Sequence, residues 1–211
     1  MKVFVVGGSG RVATELIKNL VARGHDVIAG ARHPDRIMID SHVRAVALDL
    51  HAEVPEIREI IGKVDAIYFV AGSRGKDLLQ TDAFGAVKTM WAAEQNEIHR
   101  YLMLSSMSST EPENWSREGL KQLMDYNVAK FFADNYLIHE TTLDYTILQP
   151  TSLTEEPATG KISVGTNQVA TNPIPDVAET LAELLEAPNT IHQTIAMCSG
   201  ETPIAEAIKK I

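Results

Sequence analysis

Tyr126 and Lys130 stand four residues apart in a segment with a helical pattern. Residues at this spacing share one face of a helix, so the phenol and the ammonium group can lie side by side. The ammonium group stabilises the phenolate, and a tyrosine supported in this way can pass a proton to or from a carbonyl oxygen. Lys130 is also able to hold a ribose. The pair predicts acid–base chemistry, although an exposed helical pair has the same spacing.

Two serines, Ser105 and Ser106, end the apolar segment that precedes this helix. A hydroxyl at the end of a strand can donate a hydrogen bond to a substrate oxygen. Serines at strand ends also form simple turns. The predicted catalytic residues are therefore Tyr126, Lys130 and one of the two serines, Ser106 or Ser105.

The beginning of the chain has the pattern of a phosphate-binding corner. An apolar run, 2–6, leads into Gly7-Gly8-Ser9-Gly10, and a helical pattern follows at once. Gly7 permits a sharp turn, Gly10 lets the main chain approach a phosphate, and unpaired N–H groups at a helix start favour an anion. A strand-to-helix turn that needs glycine only for its backbone is the alternative. The predicted dinucleotide contacts here are Gly7, Gly8, Ser9, Gly10, Arg11 and Val12.

The elements that position these groups alternate along the chain. Short apolar segments rich in β-branched or aromatic residues predict buried parallel strands, with helices between them. Strands are predicted at 2–6, 26–32, 43–48, 66–70, 101–104, 143–148 and 194–197, and helices at 11–23, 53–62, 78–96, 116–139, 176–186 and from Pro203 onward. This order predicts an α/β, doubly wound Rossmann fold with a mostly parallel sheet of about seven strands. We expect a single domain over 1–211, of which 151–211 forms a small part on the substrate side.

The ends of the predicted strands indicate the cofactor, because ligands bind beyond the carboxyl ends of such a sheet. Arg32 ends the second strand, where an acidic residue would hold the ribose hydroxyls of NAD and a cation suits the 2′-phosphate of NADP. The sequence therefore favours NADP(H) over NAD(H), with a solvated loop charge as the alternative. Further predicted cofactor contacts are Asp49 and Leu50 near the adenine, and Ala71, Gly72 and Ser73 as a floor beneath the cofactor.

These motifs together resemble the short-chain dehydrogenase/reductase superfamily. Within it, the chain is similar to the atypical, single-domain NAD(P)-binding group that is often labelled sugar epimerase or NmrA-like. The matching pieces are Gly7-Gly8-Ser9-Gly10-Arg11-Val12-Ala13, Gly30-Ala31-Arg32, Asp49-Leu50, residues 81–88, Leu104-Ser105-Ser106, residues 126–134 and residues 143–150. They occur in the expected order and cover most of the chain up to Pro150.

The resemblance implies roles for several residues. Tyr126 would be the acid–base group, Lys130 its partner and a ribose ligand, and Ser106 or Ser105 the donor to the substrate oxygen. The segment Gln149-Pro150-Thr151-Ser152 would line the nicotinamide end. Asp82 departs from the pattern, since fully active members have asparagine there and a carboxylate cannot donate an amide hydrogen bond. Bracing of its own helix is the alternative role for Asp82.

Three functions remain open at this point. The leading one is an NADPH-dependent reduction of a small carbonyl compound. The second is an NADP(H)-binding sensor or regulator without turnover. A sugar epimerase or dehydratase is the third, and we favour it least because little of the chain follows Pro150 to build a substrate domain.

The composition limits the kinds of partner that we expect the protein to bind. The net charge of −9 over 211 residues argues against a nucleic-acid partner. No apolar run is long enough to span a membrane, and the first predicted strand begins at Lys2, which leaves no room for a signal peptide. We expect a cytoplasmic monomer or small homo-oligomer that acts on a small molecule. The seven histidines show no metal-ligand spacing, so no metal site is predicted.

Overall fold

The computed structural model describes residues 1–165 and 170–211. Its strands are β1 (Lys2–Val6), β2 (Asp26–Ala31), β3 (Val43–Ala47), β4 (Ala66–Phe69), β5 (Arg100–Leu104), β6 (Asp144–Pro150), β7 (Ser152–Thr154), β8 (Lys161–Val164), β9 (Thr171–Pro173), β10 (Gln193–Ser199) and β11 (Thr202–Pro203). Its α-helices are α1 (Arg11–Ala22), α2 (Val54–Ile61), α3 (Phe84–Gln95), α4 (Met124–Glu140), α5 (Ile174–Leu185) and α6 (Ile204–Lys209), and a π-helix at Leu78–Ala83 leads directly into α3.

The main sheet has the order β11-β8-β10-β6-β5-β4-β1-β2-β3. The seven strands from β10 to β3 are parallel to one another. The chain runs outward from β1 through β2 to β3, then returns to β4 and continues in the opposite direction. This reversal between β1 and β4 is the switch point at which Rossmann sheets bind ligands.

Both faces of the sheet are covered by helices. Along β1, Val3 and Val5 pack with α1, α5 and α6, whereas Phe4 and Val6 pack with α2, α3 and α4. All four side chains are fully buried. This explains why the strand is apolar throughout, since successive side chains point to opposite faces. The doubly wound Rossmann prediction is confirmed.

The strand count differs from the prediction of about seven. The seven parallel strands are present, but β8 pairs antiparallel with β10 and β11 pairs antiparallel with β8, which gives nine strands in the described part of the chain. A separate parallel pair is formed by β7 and β9. These strands come from the segment after Pro150, where the sequence pattern is too short to show alternation.

The helix predicted at 116–139 begins only at Met124. Short 3₁₀ turns at Pro112–Asn114 and Lys121–Leu123 precede it, and Gly119 between them has a φ of +89°. The indole Nε1 of Trp115 donates to the carbonyl of Ser108, which holds this loop in a compact turn. The predicted helix at 78–96 is likewise divided, because its first six residues form the π-helix.

Candidate active site

One cavity of about 860 Å³ runs along the carboxyl ends of the parallel strands. Its lining begins at the turn after β1, crosses the switch point and ends at α4 and the segment after β6. Of the predicted site residues, the following line it: Gly7, Ser9, Gly10, Arg11, Val12, Arg32, Asp49, Leu50, Ala71, Gly72, Ser73, Ser105, Ser106, Tyr126, Lys130, Pro150 and Thr151. The fold therefore brings groups from seven separate parts of the chain into one space.

The glycine turn after β1 shapes one end of the cavity. Gly7 has a φ of +89°, and a Cβ at this position would lie 2.6 Å from the Cα of Ala71. Only glycine satisfies both conditions. Gly10 precedes α1 in an extended conformation and lines the cavity. In the described part of the chain, the N–H groups of Arg11 and Val12 have no protein acceptor, so they are available to an anion.

Gly8 is a predicted cofactor contact that does not line the cavity. A Cβ on Gly8 would stand 2.8 Å from the Cβ of Ala29 in β2. The N–H groups of Gly7 and Gly8 both donate to the carbonyl of Gly30, each over 2.9 Å. Gly8 therefore permits close packing of the turn against β2, and its amide is already used.

Cationic side chains surround the phosphate end. Arg11, Arg32, Arg36, Arg74 and Lys76 all line the cavity, although the whole chain carries a net charge of −9. Arg11 pairs with Glu155, and both side chains are exposed. This concentration of positive charge at one end of the cavity suits a polyanionic ligand.

The predicted adenine and floor residues occupy the positions expected from the strand ends. Leu50 is buried, and the Asp49 carboxylate accepts from the N–H of His51 over 2.9 Å, which closes the turn after β3. Ala71, Gly72 and Ser73 follow β4 directly at the switch point.

Tyr126 and Lys130 lie on the first two turns of α4 and face the cavity. The Nζ atom of Lys130 stands 5.8 Å from the centre of the Tyr126 ring and donates to the carbonyl of Leu104 over 3.2 Å. Lys130 is 2% exposed, whereas Tyr126 is half-buried. The helical face that the spacing predicts is present, and it holds a fixed cation beside an accessible phenol.

The two serines at the end of β5 have different surroundings. The Ser105 hydroxyl is buried and donates to the carboxylate of Asp134. Ser106 is half-buried and lines the cavity, and in the described part of the chain its hydroxyl has no protein partner. Ser106 is thus the serine whose hydroxyl is free to meet a ligand.

Asp134 is the centre of a polar network that the sequence analysis missed. It is fully buried one helical turn after Lys130, and its Oδ2 accepts from the hydroxyls of Ser105 and Ser109. Gln149 donates from Nε2 to Ser109 over 2.7 Å. The i, i+4 spacing of Lys130 and Asp134 was the available signal, because it places both on one helical face.

Gln149 is therefore not part of the cavity wall, contrary to the prediction for the nicotinamide end. Its side chain is 3% exposed and points into the network behind the cavity, while the next two residues, Pro150 and Thr151, do line the cavity. Alternation along β6 explains the difference, since successive side chains of a strand point to opposite faces.

Burial raises the pKa of Asp134 from its ordinary 3.8 to about 6, although the hydroxyls of Ser105 and Ser109 and the charge of Lys130 oppose this rise. A carboxyl whose pKa is raised by folding stabilises the protein fully only at low pH. Its contribution falls as the pH rises through the folded-state pKa.

We therefore expect Asp134→Asn to alter the pH dependence of stability. Between pH 4 and pH 7 the free energy of unfolding of the wild type should fall by about 2 kcal/mol relative to the variant, because most of the interval between the ordinary pKa and the folded-state pKa lies in this range. Urea denaturation of both proteins across this range measures the effect. A difference between the two proteins that is independent of pH would contradict it.

Asp82 lies in the π-helix and is fully buried at the cavity wall. Its Oδ2 accepts from the N–H of Ser73 over 3.0 Å. The carboxylate thus braces the loop after β4 and does not brace its own helix, which was the alternative role considered from the sequence. Its other oxygen, Oδ1, is buried and has no hydrogen-bond partner within residues 1–165 and 170–211.

Within residues 1–165 and 170–211, no group of three or more His, Cys, Asp or Glu side chains is arranged to hold a metal ion. None of the described helices has the length and apolar character required to cross a bilayer.

Comparison with known proteins adds independent information. Residues 7–188 match the model of a family described as NAD(P)H-binding. A Bacillus subtilis (strain 168) protein named "Uncharacterized sugar epimerase YhfK" is 33% identical over 219 residues, which covers 100% of both chains. The crystal structure of the oxidoreductase ylbE from Lactococcus lactis has a TM-score of 0.97 and 44% identity, and the match covers 100% of this chain and 96% of that one.

A second solved structure is similar in fold alone. A short-chain dehydrogenase/reductase from Veillonella parvula, solved in complex with NADP, has a TM-score of 0.79 at 16% identity and covers 96% of each chain.

Proposed function

This chain belongs to the NAD(P)H-binding family of Rossmann-fold proteins, and from that premise we propose that it is an oxidoreductase that uses NADPH to reduce a small carbonyl compound. Membership confirms the resemblance to the atypical, epimerase-labelled group of short-chain dehydrogenases/reductases. The observation that carries the proposal is the single cavity that joins a cation-rich end to Tyr126, Lys130 and Ser106.

The residues present fit a dinucleotide. The unpaired N–H groups of Arg11 and Val12 would hold the diphosphate, and Gly10 has no side chain to obstruct its approach. Leu50 would contact the adenine, and Lys130 would hold the ribose near the nicotinamide. The volume of about 860 Å³ lies within the range of small-molecule and cofactor sites.

The positive charge of Arg32 and Arg36 supports NADP(H) as the cofactor. Arg32 and Arg36 are exposed at the cavity, and no ion-pair partner occupies either guanidinium group in the described residues. A guanidinium group can bind two oxygens of a phosphate at once, so these side chains suit the extra phosphate that distinguishes NADP from NAD. The Veillonella parvula protein is an example of this fold with NADP bound.

The chemistry follows from the three polar groups at the other end. NADPH, when bound, supplies a hydride to the carbonyl carbon. Tyr126 donates its hydroxyl proton to the carbonyl oxygen, and the ammonium group of Lys130 stabilises the phenolate that remains. Ser106 donates a hydrogen bond to the same oxygen and stabilises the negative charge that develops on it.

Three measurements distinguish the proposed reductase from two other functions. The Bacillus subtilis relative is named a sugar epimerase, and Asp82 in the place of an amide side chain favours a cofactor-binding sensor without turnover. Consumption of NADPH against a panel of aldehydes, ketones and quinones supports the reductase. Tight NADPH binding with no consumption supports the sensor, and interconversion of sugar nucleotides without net cofactor change supports the epimerase.

Substitution of Ser106 and of Ser105 by alanine should affect different properties of the protein. We expect Ser106→Ala to lower kcat about 100-fold with little change in Tm, because it removes a donor to the reacting oxygen. Ser105→Ala should instead lower Tm by several degrees, because it removes a buried hydrogen bond from Asp134. Steady-state kinetics and thermal melts of both variants check this, and the reverse assignment of effects would contradict it.

A further inference from the structure

Two buried oxygens at the floor of the cavity have no hydrogen-bond partner among the residues that the structure describes. They are Oδ1 of Asp82 and Oγ of Ser73. The exposed fraction of the whole residue is 0% for Asp82 and 9% for Ser73. Both residues line the cavity. Buried polar atoms are nearly always hydrogen-bonded, and leaving one unpaired is costly, so an unpaired pair on a cavity wall indicates a group that binds there.

The local structure holds the two oxygens in place. The N–H of Ser73 donates to Oδ2 of Asp82 over 3.0 Å, so the two residues form one unit. Asp82 lies on the π-helix at Leu78–Ala83, a conformation that is rare and often found at functional sites. This helix packs against α4, which carries Tyr126. The unit is thus fixed on one side of the cavity, with the acid–base pair on a neighbouring element.

Gly72 keeps the space before the carboxylate open. A Cβ at this position would lie 3.4 Å from Oδ1 of Asp82. A side chain at this position would therefore contact the oxygen, whereas glycine keeps the space beside it free of a side chain.

We propose that Asp82 and Ser73 form a subsite for a hydroxyl group of a bound ligand. A carboxylate oxygen accepts a hydrogen bond, and a serine hydroxyl can donate one. A ligand hydroxyl supplies the matching donor and acceptor, so one group would satisfy both oxygens. The hydroxyl belongs to the cofactor ribose or to the substrate. This inference rests on the proposed function for its setting, and its test relies on binding alone.

The test uses two variants that change the subsite in different ways. In Asp82→Asn, the amide oxygen can keep the bond from the N–H of Ser73 while the amino group takes the place of Oδ1, so a donor replaces the acceptor. Gly72→Ala keeps the carboxylate and covers it with a methyl group, and its φ lies outside the left-handed region, so the backbone tolerates alanine. Asp65→Asn is the control, because that exposed carboxylate accepts from the N–H of Lys2 outside the cavity.

Two binding measurements determine whether the hydroxyl belongs to the cofactor or to the substrate. The first is calorimetric titration of each protein with NADPH. The second is saturation-transfer NMR of dihydroxyacetone and of acetone with protein saturated with NADP⁺, a combination in which no reduction can occur.

An affinity loss of about tenfold or more for NADPH in both variants assigns the hydroxyl to the cofactor. Unchanged NADPH affinity with lost dihydroxyacetone binding assigns it to the substrate. If both variants bind NADPH and dihydroxyacetone as the wild type and Asp65→Asn do, the proposal is overturned. Failure of the oxidoreductase proposal looks different: no compound is reduced, while the binding measurements can still give the expected result.

Discussion

Replacing Tyr126 with phenylalanine is expected to lower kcat for carbonyl reduction by about 100- to 10,000-fold, the usual contribution of a general acid. The ring remains, so its contact with Lys130, at 5.8 Å, and the shape of the cavity should persist. Affinity for NADPH should change little, because the removed hydroxyl donates to the substrate. Steady-state kinetics on any compound that the panel identifies, together with calorimetry, measure both quantities.

Tyr136→Phe provides a matched control on the same helix. Tyr136 accepts a hydrogen bond from Nε1 of Trp91 over 2.7 Å and does not line the cavity. Its loss should leave kcat unchanged. Equal kcat for Tyr126→Phe and the wild type would show that Tyr126 is not the general acid.

Arg32→Glu is expected to weaken NADPH binding by about 100-fold and NADH binding far less. The substitution removes a charge-assisted hydrogen bond to the 2′-phosphate and places a like charge there, and only NADPH carries that phosphate. Calorimetric titration of both coenzymes gives the two affinities.

Arg44→Glu makes the same change in net charge on β3, at an exposed position outside the cavity. It should alter both affinities only slightly, and the small effect should shrink in higher salt because the charges are distant. Equal losses of NADPH and NADH in Arg32→Glu would mean that Arg32 does not recognise the phosphate.

Much of the fold was predictable because it depends on local patterns. The glycine turn requires a positive φ at Gly7, and the central strands β1 and β4 are buried on both faces, so each is visible from sequence. The positions of Tyr126 and Lys130 followed from helical spacing. Gln149 was misplaced because a residue near the end of a buried strand can face either side of the sheet, and composition does not indicate which.

The residues that sequence reasoning missed act through distant contacts. Asp134 meets Ser105 and Ser109, which are 29 and 25 residues away, and no short motif joins them. The loop before α4 is held by the hydrogen bond from Trp115 to Ser108, and β8 and β11 depend on pairing at the edge of the sheet. Such tertiary pairings outweigh local propensity and become visible only in the folded chain.

Calorimetric titration of the folded wild-type protein with NADPH and with NADH tests the central claim most directly. The account predicts one site per chain with heat of binding for both coenzymes and tighter binding of NADPH, because main-chain amides beside Gly10 hold the diphosphate that both share. Absence of heat with either coenzyme, from protein that melts cooperatively, would contradict it.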